Sequence, residues 1–216
     1  MKKMFLLLLS LFTVIACDNK ENNDTVVQKE TPQKVVLTKA DFAKYVREGV
    51  EYDVSSTGVL TFIKPQDMFE DFNDFEEQEV KVKEGNPTSI LITKQLSDDP
   101  LEPVKEWNER AFIYAIYKSF TYTPVNELIV EAYPLIEQKN GKFKAKKEFA
   151  LKTQITREKA LEVLKKHTAA TSFDDLVQLE EAEGRYRRVG VSGSDIWDKF
   201  YNNEQYRPTI IADLLK

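Results

Sequence analysis

Cysteine and histidine are almost missing from this 216-residue chain, which holds one of each, Cys17 and His167. Zinc and redox-metal centres draw on clusters of those residues, so no such centre is expected, and no cofactor is implied. Thiol–imidazole catalysis falls on the same ground. No Gly-x-Ser-x-Gly turn occurs either; the nearest stretch, Gly190-Val191-Ser192-Gly193-Ser194, has its second glycine out of place. Basic residues are in the minority, at 31 against 36 acidic. Phosphate binding needs a basic face, so nucleic acid is not an expected partner. Long hydrophobic runs are also wanting. The longest spans Phe5 to Ile15, broken by Ser10 and Thr13. It falls short of the ~20 apolar residues that cross a bilayer as a helix.

That run has the length of a secretory h-region. Lys2 and Lys3 precede it, and the polar series Asp18 to Asp24 follows at once. A core element would be amphipathic and would not adjoin such a tail. Between run and tail stands Val14-Ile15-Ala16-Cys17. These residues resemble the lipobox of bacterial lipoprotein precursors, in which small residues lead to an obligatory cysteine. Val14 stands where leucine is commoner. The resemblance implies cleavage between Ala16 and Cys17, a thioether-linked diacylglycerol on Cys17, and often a further acyl chain such as palmitate on the new amino group. An exported protein with one free thiol is open to oxidation, which a lipid cap prevents. One acyl chain binds a membrane only marginally and two or three bind it durably, at roughly 0.8 kcal/mol per buried CH₂. The implied location is a lipid anchor facing periplasm or cell exterior. In enteric bacteria an acid such as Asp18 after the lipidated residue resembles an inner-membrane retention signal; other lineages ignore it, so the choice of membrane stays open.

The chain thus divides into a signal peptide (1–16), the lipidated cysteine with a tether (17–37), and one globular domain (38–216). Loss of residues 1–16 removes Lys2 and Lys3 and no acid, so 29 basic side chains face 36 acidic ones, a formal charge of −7. The tether is rich in Asn, Asp, Lys, Glu, Gln and Thr, too polar to bury enough surface to offset its ordering entropy. Twenty such residues average ~25 Å end to end and reach ~70 Å extended. The rest is long enough to bury roughly 70% of its unfolded surface as one domain.

Within it, Thr38 and Asp41 predict a helix start, with Phe42 and Tyr45 on one face and Gly49 as its stop. Strands are expected at Glu51–Val54 and Val59–Ile63, the second ended by Pro65. Met68, Phe69, Phe72 and Phe75 share a helical face, and acids fill the solvated remainder of that run. Val80–Lys83 and Ser89–Lys94 alternate as strands. The main helix, about Glu102–Phe120, carries an inner stripe of Val104, Trp107, Ala111, Tyr114 and Ala115, and is apolar all round from Ala111 to Tyr117. Asn140-Gly141 joins Leu128–Ile136 to Phe143–Ile155 as a hairpin, with Pro134 marking an edge strand or bulge. Helices follow from Thr156, from a capping box at Ser172 before Leu176, Val177 and Leu179, from an Asp195 cap with Ile196, Trp197, Phe200 and Tyr201, and from Pro208. The fold class is α+β: a mainly antiparallel sheet built from hairpins, packed with a long central helix and a helical C-terminal third.

Candidate chemistry is thin. His167, beside Lys165 and Lys166, suits the negative end of its helix. The acidic run 67–79 fails the calcium-loop pattern, because Phe75 and Glu76 stand where a ligand and a glycine belong. Val189–Ser194 lacks the Walker lysine, and a cap plus a turn accounts for it. Lys139, Lys142, Lys144, Lys146 and Lys147 cluster on the Asn-Gly hairpin, either guarding a strand edge or meeting anionic headgroups or an acidic partner. The functional expectation is a lipid-anchored, non-enzymatic binding or interaction module of the cell envelope. Its partners are the membrane, through Cys17, and an envelope protein. The alternative is a carboxylate-dependent envelope hydrolase. Nothing in the sequence fixes the oligomeric state.

Overall fold

The computed structural model describes residues 37–43, 46–72, 79–97, 101–178, 181–182, 185–186 and 194–216. The expectations for Ala16, Cys17, Tyr45, Phe75, Leu179 and the 189–193 segment lie outside the described residues. A compact unit runs from Val36 to Lys216.

Its first turn of helix, α1 (Lys39–Phe42), is closed by Asp41, whose Oδ2 accepts from both the N–H and the hydroxyl of Thr38 at 2.7 Å. The helix ends at Phe42, earlier than Gly49, which instead sits at φ 84 in the turn leading to the next strand. Strands β1 (Tyr52–Val54) and β2 (Leu60–Phe62) pair as an antiparallel hairpin. Pro65 both ends this stretch and starts α2 (Pro65–Phe72), where a missing N–H is no loss.

The acidic face of α2 is not simply solvated. Asp71 is buried and accepts the backbone N–H of Arg47 at 3.0 Å, while the Arg47 guanidinium reaches Glu70 at 2.9 Å. These acids staple the chain between α1 and β1 onto α2. The hydrogen bond from Gln66, with Arg47 behind it, holds the Glu70 carboxyl below the usual range against its desolvation.

The main sheet orders its strands β3 (Val80–Lys83), β4 (Thr88–Leu96), β5 (Glu127–Glu137) and β6 (Phe143–Ala145), with β7 (Leu151–Thr156) also on β5. Most pairings are antiparallel, as the hairpins implied; the central β4–β5 pair is parallel. A parallel pair needs a long crossover, supplied by α3 (Leu101–Tyr122), which packs against both strands. Even-numbered residues of β5 are buried and odd-numbered ones half-exposed up to Glu137, so one sheet face is covered and the other open.

Pro134 does not mark an edge strand, for β5 is paired on both sides. It marks a bulge in the partner. Between Ala145, opposite Leu135, and Leu151, opposite Ala132, a 3₁₀ turn at Lys147–Phe149 interrupts what would be one strand. The Pro134 carbonyl accepts from the Lys146 N–H at 3.0 Å. Amide and carbonyl of one strand residue point the same way, so the missing N–H faces the gap in the ladder.

Asn108 of α3 answers the same gap. Its Nδ2 donates to the carbonyls of Phe149 at 2.7 Å and Ala132 at 3.4 Å. That need explains a departure from the expected stripe: Asn108 is buried and Trp107, predicted inside, is 46% exposed. Val104, Ala111 and Ala115 are buried as expected, and residues 111 to 123 are enclosed apart from half-buried Tyr114.

The C-terminal third wraps this helix. In α4 (Arg157–His167), Thr156 caps the start by accepting the Lys159 N–H at 3.2 Å, and the Tyr117 hydroxyl donates to Ala160 O at 3.0 Å. The Ser172 capping box opens a 3₁₀ turn, Phe173–Leu176. Two short strands follow, β8 (Glu181–Ala182) and β9 (Arg185–Tyr186). Helix α5 (Asp195–Asn202) is capped by Ser194, one residue before the expected Asp195: its Oγ accepts from Ile196 and Trp197 N–H and donates to Asp175 O at 2.8 Å.

Helix α6 (Arg207–Leu214) is clasped to α4 through Asp213, which receives Lys166 Nζ at 2.6 Å, Lys216 Nζ at 2.8 Å and His167 Nε2 at 2.9 Å. His167 thus serves this clasp as well as its own helix end. The lysine bonds, Lys166 first, and that of His167 hold the Asp213 carboxyl well below its usual range. A carboxyl depressed in this way stabilises the fold above its unfolded pKa, about 3.9, and that stabilisation is lost as pH falls through the lower folded value. Asp213→Asn should therefore lower Tm at neutral pH, with the deficit shrinking steadily below about pH 4. A deficit of constant size down to strong acid, in thermal melts followed by circular dichroism, would exclude the clasp as its source.

Candidate functional site

A cation opening a helix opposes that helix's own dipole. Arg157 does so at the start of α4, and the reason lies outside α4. Its Nε donates to Val125 O at 3.0 Å, its Nη1 to Phe120 O at 2.6 Å and its Nη2 to Thr123 O. These carbonyls belong to the last turn of α3 and the segment after it, where the backbone has run out of helical partners. The guanidinium carbon lies 5.2 and 5.3 Å from the ring centres of Phe120 and Phe173. Burial draws its pKa below the usual arginine value, and the negative charge of Asp174 works in the opposite direction.

Around this arginine opens a cleft of about 350 Å³, lined by Thr61 of β2, Phe120 and Thr121 of α3, Thr123 and Pro124 beyond it, Arg157 and Leu161 of α4, and Ser172, Phe173 and Asp174. The volume is in the range of small-ligand sites. Its walls are mostly apolar, with a few convergent polar groups. Thr121 is 5% exposed, and its Oγ1 has no hydrogen-bond partner. Asp174 accepts the Thr57 hydroxyl and influences Arg157 electrostatically. Among the described residues the two form no ion pair within 4.0 Å. One cation and one carboxylate therefore face a shared space. Such a set can bind a small ligand bearing a carboxylate or hydroxyl groups.

The neighbouring carboxyl of Asp175 is not poised as an acid. Burial pushes Asp175 up, but the backbone N–H groups and hydroxyls of Thr171 and Ser172 outweigh it and hold its carboxyl down. The carboxyls of Glu70 and Asp213 are likewise displaced downward, away from a proton donor at neutral pH. No group of three or more His, Cys, Asp or Glu among the described residues is placed to hold a metal ion.

Two other charged clusters lie on α3. The Lys118 amine is 2% exposed, donates to the Tyr114 hydroxyl and lies 4.1 Å from the Phe72 ring centre; burial pulls its pKa well below the usual lysine value. Glu106 receives Arg110 at 2.6 Å and Arg207 at 3.4 Å, which ties α6 to α3 beneath exposed Trp107.

The five lysines singled out from the sequence lie along the Asn140-Gly141 hairpin and the 3₁₀ turn after it. Gly141, at φ 72, closes a turn in which its N–H meets Gln138 O at 2.8 Å. Lys139, Lys142 and Lys144 stand exposed around it, with no carboxylate paired to them among the described residues. Lys146 approaches Glu148 at 3.6 Å, and Lys147 lies 4.9 Å over the Tyr133 ring. Strand β6 bonds only to β5 among the described residues, so these lysines also guard an edge.

Sequence reasoning missed Arg157, Asp174 and Thr121. The one available signal was a basic residue in the first turn of a helix. No protein-family model, curated protein or solved structure matches this chain.

Arg157→Leu keeps bulk but leaves three carbonyls without a donor, and should cost about 2–4 kcal/mol. Urea unfolding measures this. A loss of only a few tenths would mean that water serves those carbonyls equally well.

Proposed function

We propose that the protein is a lipid-anchored cell-envelope lipoprotein whose domain binds a small polar ligand rather than transforming one. The anchor rests on the order of cationic start, apolar run, Val14-Ile15-Ala16 and Cys17. Among the described residues no helix is long and apolar enough to cross a membrane. In this reading attachment is by the lipid on Cys17, and the domain faces periplasm or exterior.

The observation that carries the binding half is the cleft beneath the end of α3, whose lining includes a separated arginine and aspartate. A ligand carboxylate would lie against Arg157, and its hydroxyl or ammonium donors against Asp174.

Each half has its own test. Cys17→Ser should abolish processing and release the chain from membranes under carbonate wash; retention as firm as wild type would sink the anchor. A thermal-shift screen of small carboxylic and polyhydroxylated compounds should find stabilisers of the wild-type protein. Asp174→Asn should weaken them by roughly tenfold. Stabilisers indifferent to that change would remove the cleft as the site.

A further inference from the structure

An edge guarded by lysines needs no aromatic among them, yet Phe143 stands between Lys142 and Lys144 with 45% of its surface exposed. It pairs with Glu137 at the far end of β5, so its side chain lies on the sheet face that α3 does not cover. From Glu137 to Glu148 five lysines stand against two glutamates, and one of those glutamates already approaches Lys146. The whole chain carries a formal charge of −5. A cationic tip with an exposed phenylalanine is thus the opposite of what this composition supplies on average.

We propose that the hairpin around Gly141 is a docking element for an anionic bilayer surface. The hairpin meets the surface by its tip: Phe143 enters the boundary between headgroups and acyl chains from one face, and Lys142 and Lys144, which alternate to the other face with Lys144 opposite Ile136, reach the phosphates beside Lys139. Aromatic rings settle at that depth, and each lysine held near an anionic leaflet strengthens partition about fivefold. Three lysines and one ring bind weakly for a free protein. Here the inference leans on the anchor proposed above: a tether of some twenty residues holds the domain at roughly millimolar effective concentration over the surface. A weak contact is then largely occupied. Edge protection alone predicts no dependence on lipid charge and gives Phe143 no role.

The test uses the full chain, lipidated and reconstituted into vesicles of phosphatidylcholine alone or mixed with phosphatidylglycerol. Lipidation consumes the Cys17 thiol, so an Asn140→Cys variant takes one environment-sensitive fluorophore at the hairpin tip. On the mixed vesicles its emission should shift to the blue and be quenched by nitroxide lipids. On neutral vesicles it should stay water-like. Raised salt should reverse the shift. Replacing Lys139, Lys142 and Lys144 together with serine should weaken docking on the order of 100-fold, and Phe143→Ser should abolish the quenching. Emission that stays water-like on both vesicles overturns the proposal. So does a shift insensitive to lipid charge and to the lysines, or one produced only by an acidic envelope protein. A chain that joins neither vesicle refutes the anchor alone. The hairpin is then read with the labelled chain carrying Cys17→Ser, titrated with the same vesicles.

Discussion

The C-terminal half of α3 is closed off from water, and that enclosure sets the terms for everything around it. A helix leaves its last carbonyls without internal partners, and a buried end must find donors elsewhere. Arg157 provides three at once, from the first residue of the next long helix. The position of α4 follows from that bond set. So does the approach of the Phe173 turn, whose ring flanks the guanidinium. The cleft is the space left over when a planar cation, rather than a packed hydrocarbon, closes the end of a core helix.

The same logic operates at the other end of the sheet. There the strand after the hairpin breaks into a 3₁₀ turn, and Asn108 reaches out of α3 to bond the carbonyls stranded by the break. Pro134 faces the gap with the one backbone nitrogen that has nothing to donate. Helix and sheet are thus joined by a few directional bonds at places where regular structure stops, and by apolar contact everywhere else.

This division explains what could be read from the sequence. Periodicity reports apolar contact, so α3, the enclosed stretch from Ala111, the hairpin at Asn140-Gly141 and the α+β class were legible. Directional bonds leave no periodic trace. Trp107 was assigned to the core because it is apolar and in step, whereas the place belongs to Asn108, which has carbonyls to serve. Ser194 and Asp195 are both good caps, and local pattern does not choose between them. The parallel pairing of β4 with β5 joins strands separated by the whole of α3, and each strand alone reads the same in either direction. The cleft draws on residues 61, 120, 121, 123, 124, 157, 161 and 172–174, which no spacing rule connects.

Strand β5 has one more property. Its first residues adjoin Val125 and Asn126, whose carbonyls receive Arg157 side chain and backbone, and its last residue pairs with Phe143. Eleven residues in a strand span about 35 Å. The cleft and the cationic hairpin therefore lie at opposite ends of one strand. A domain standing on its hairpin would hold the cleft about a strand's length away from the headgroup layer and its ion atmosphere. Molecules would arrive there from the aqueous compartment, and lateral diffusion within the bilayer would have no access to it. Orientation, in this fold, is a property of a single strand.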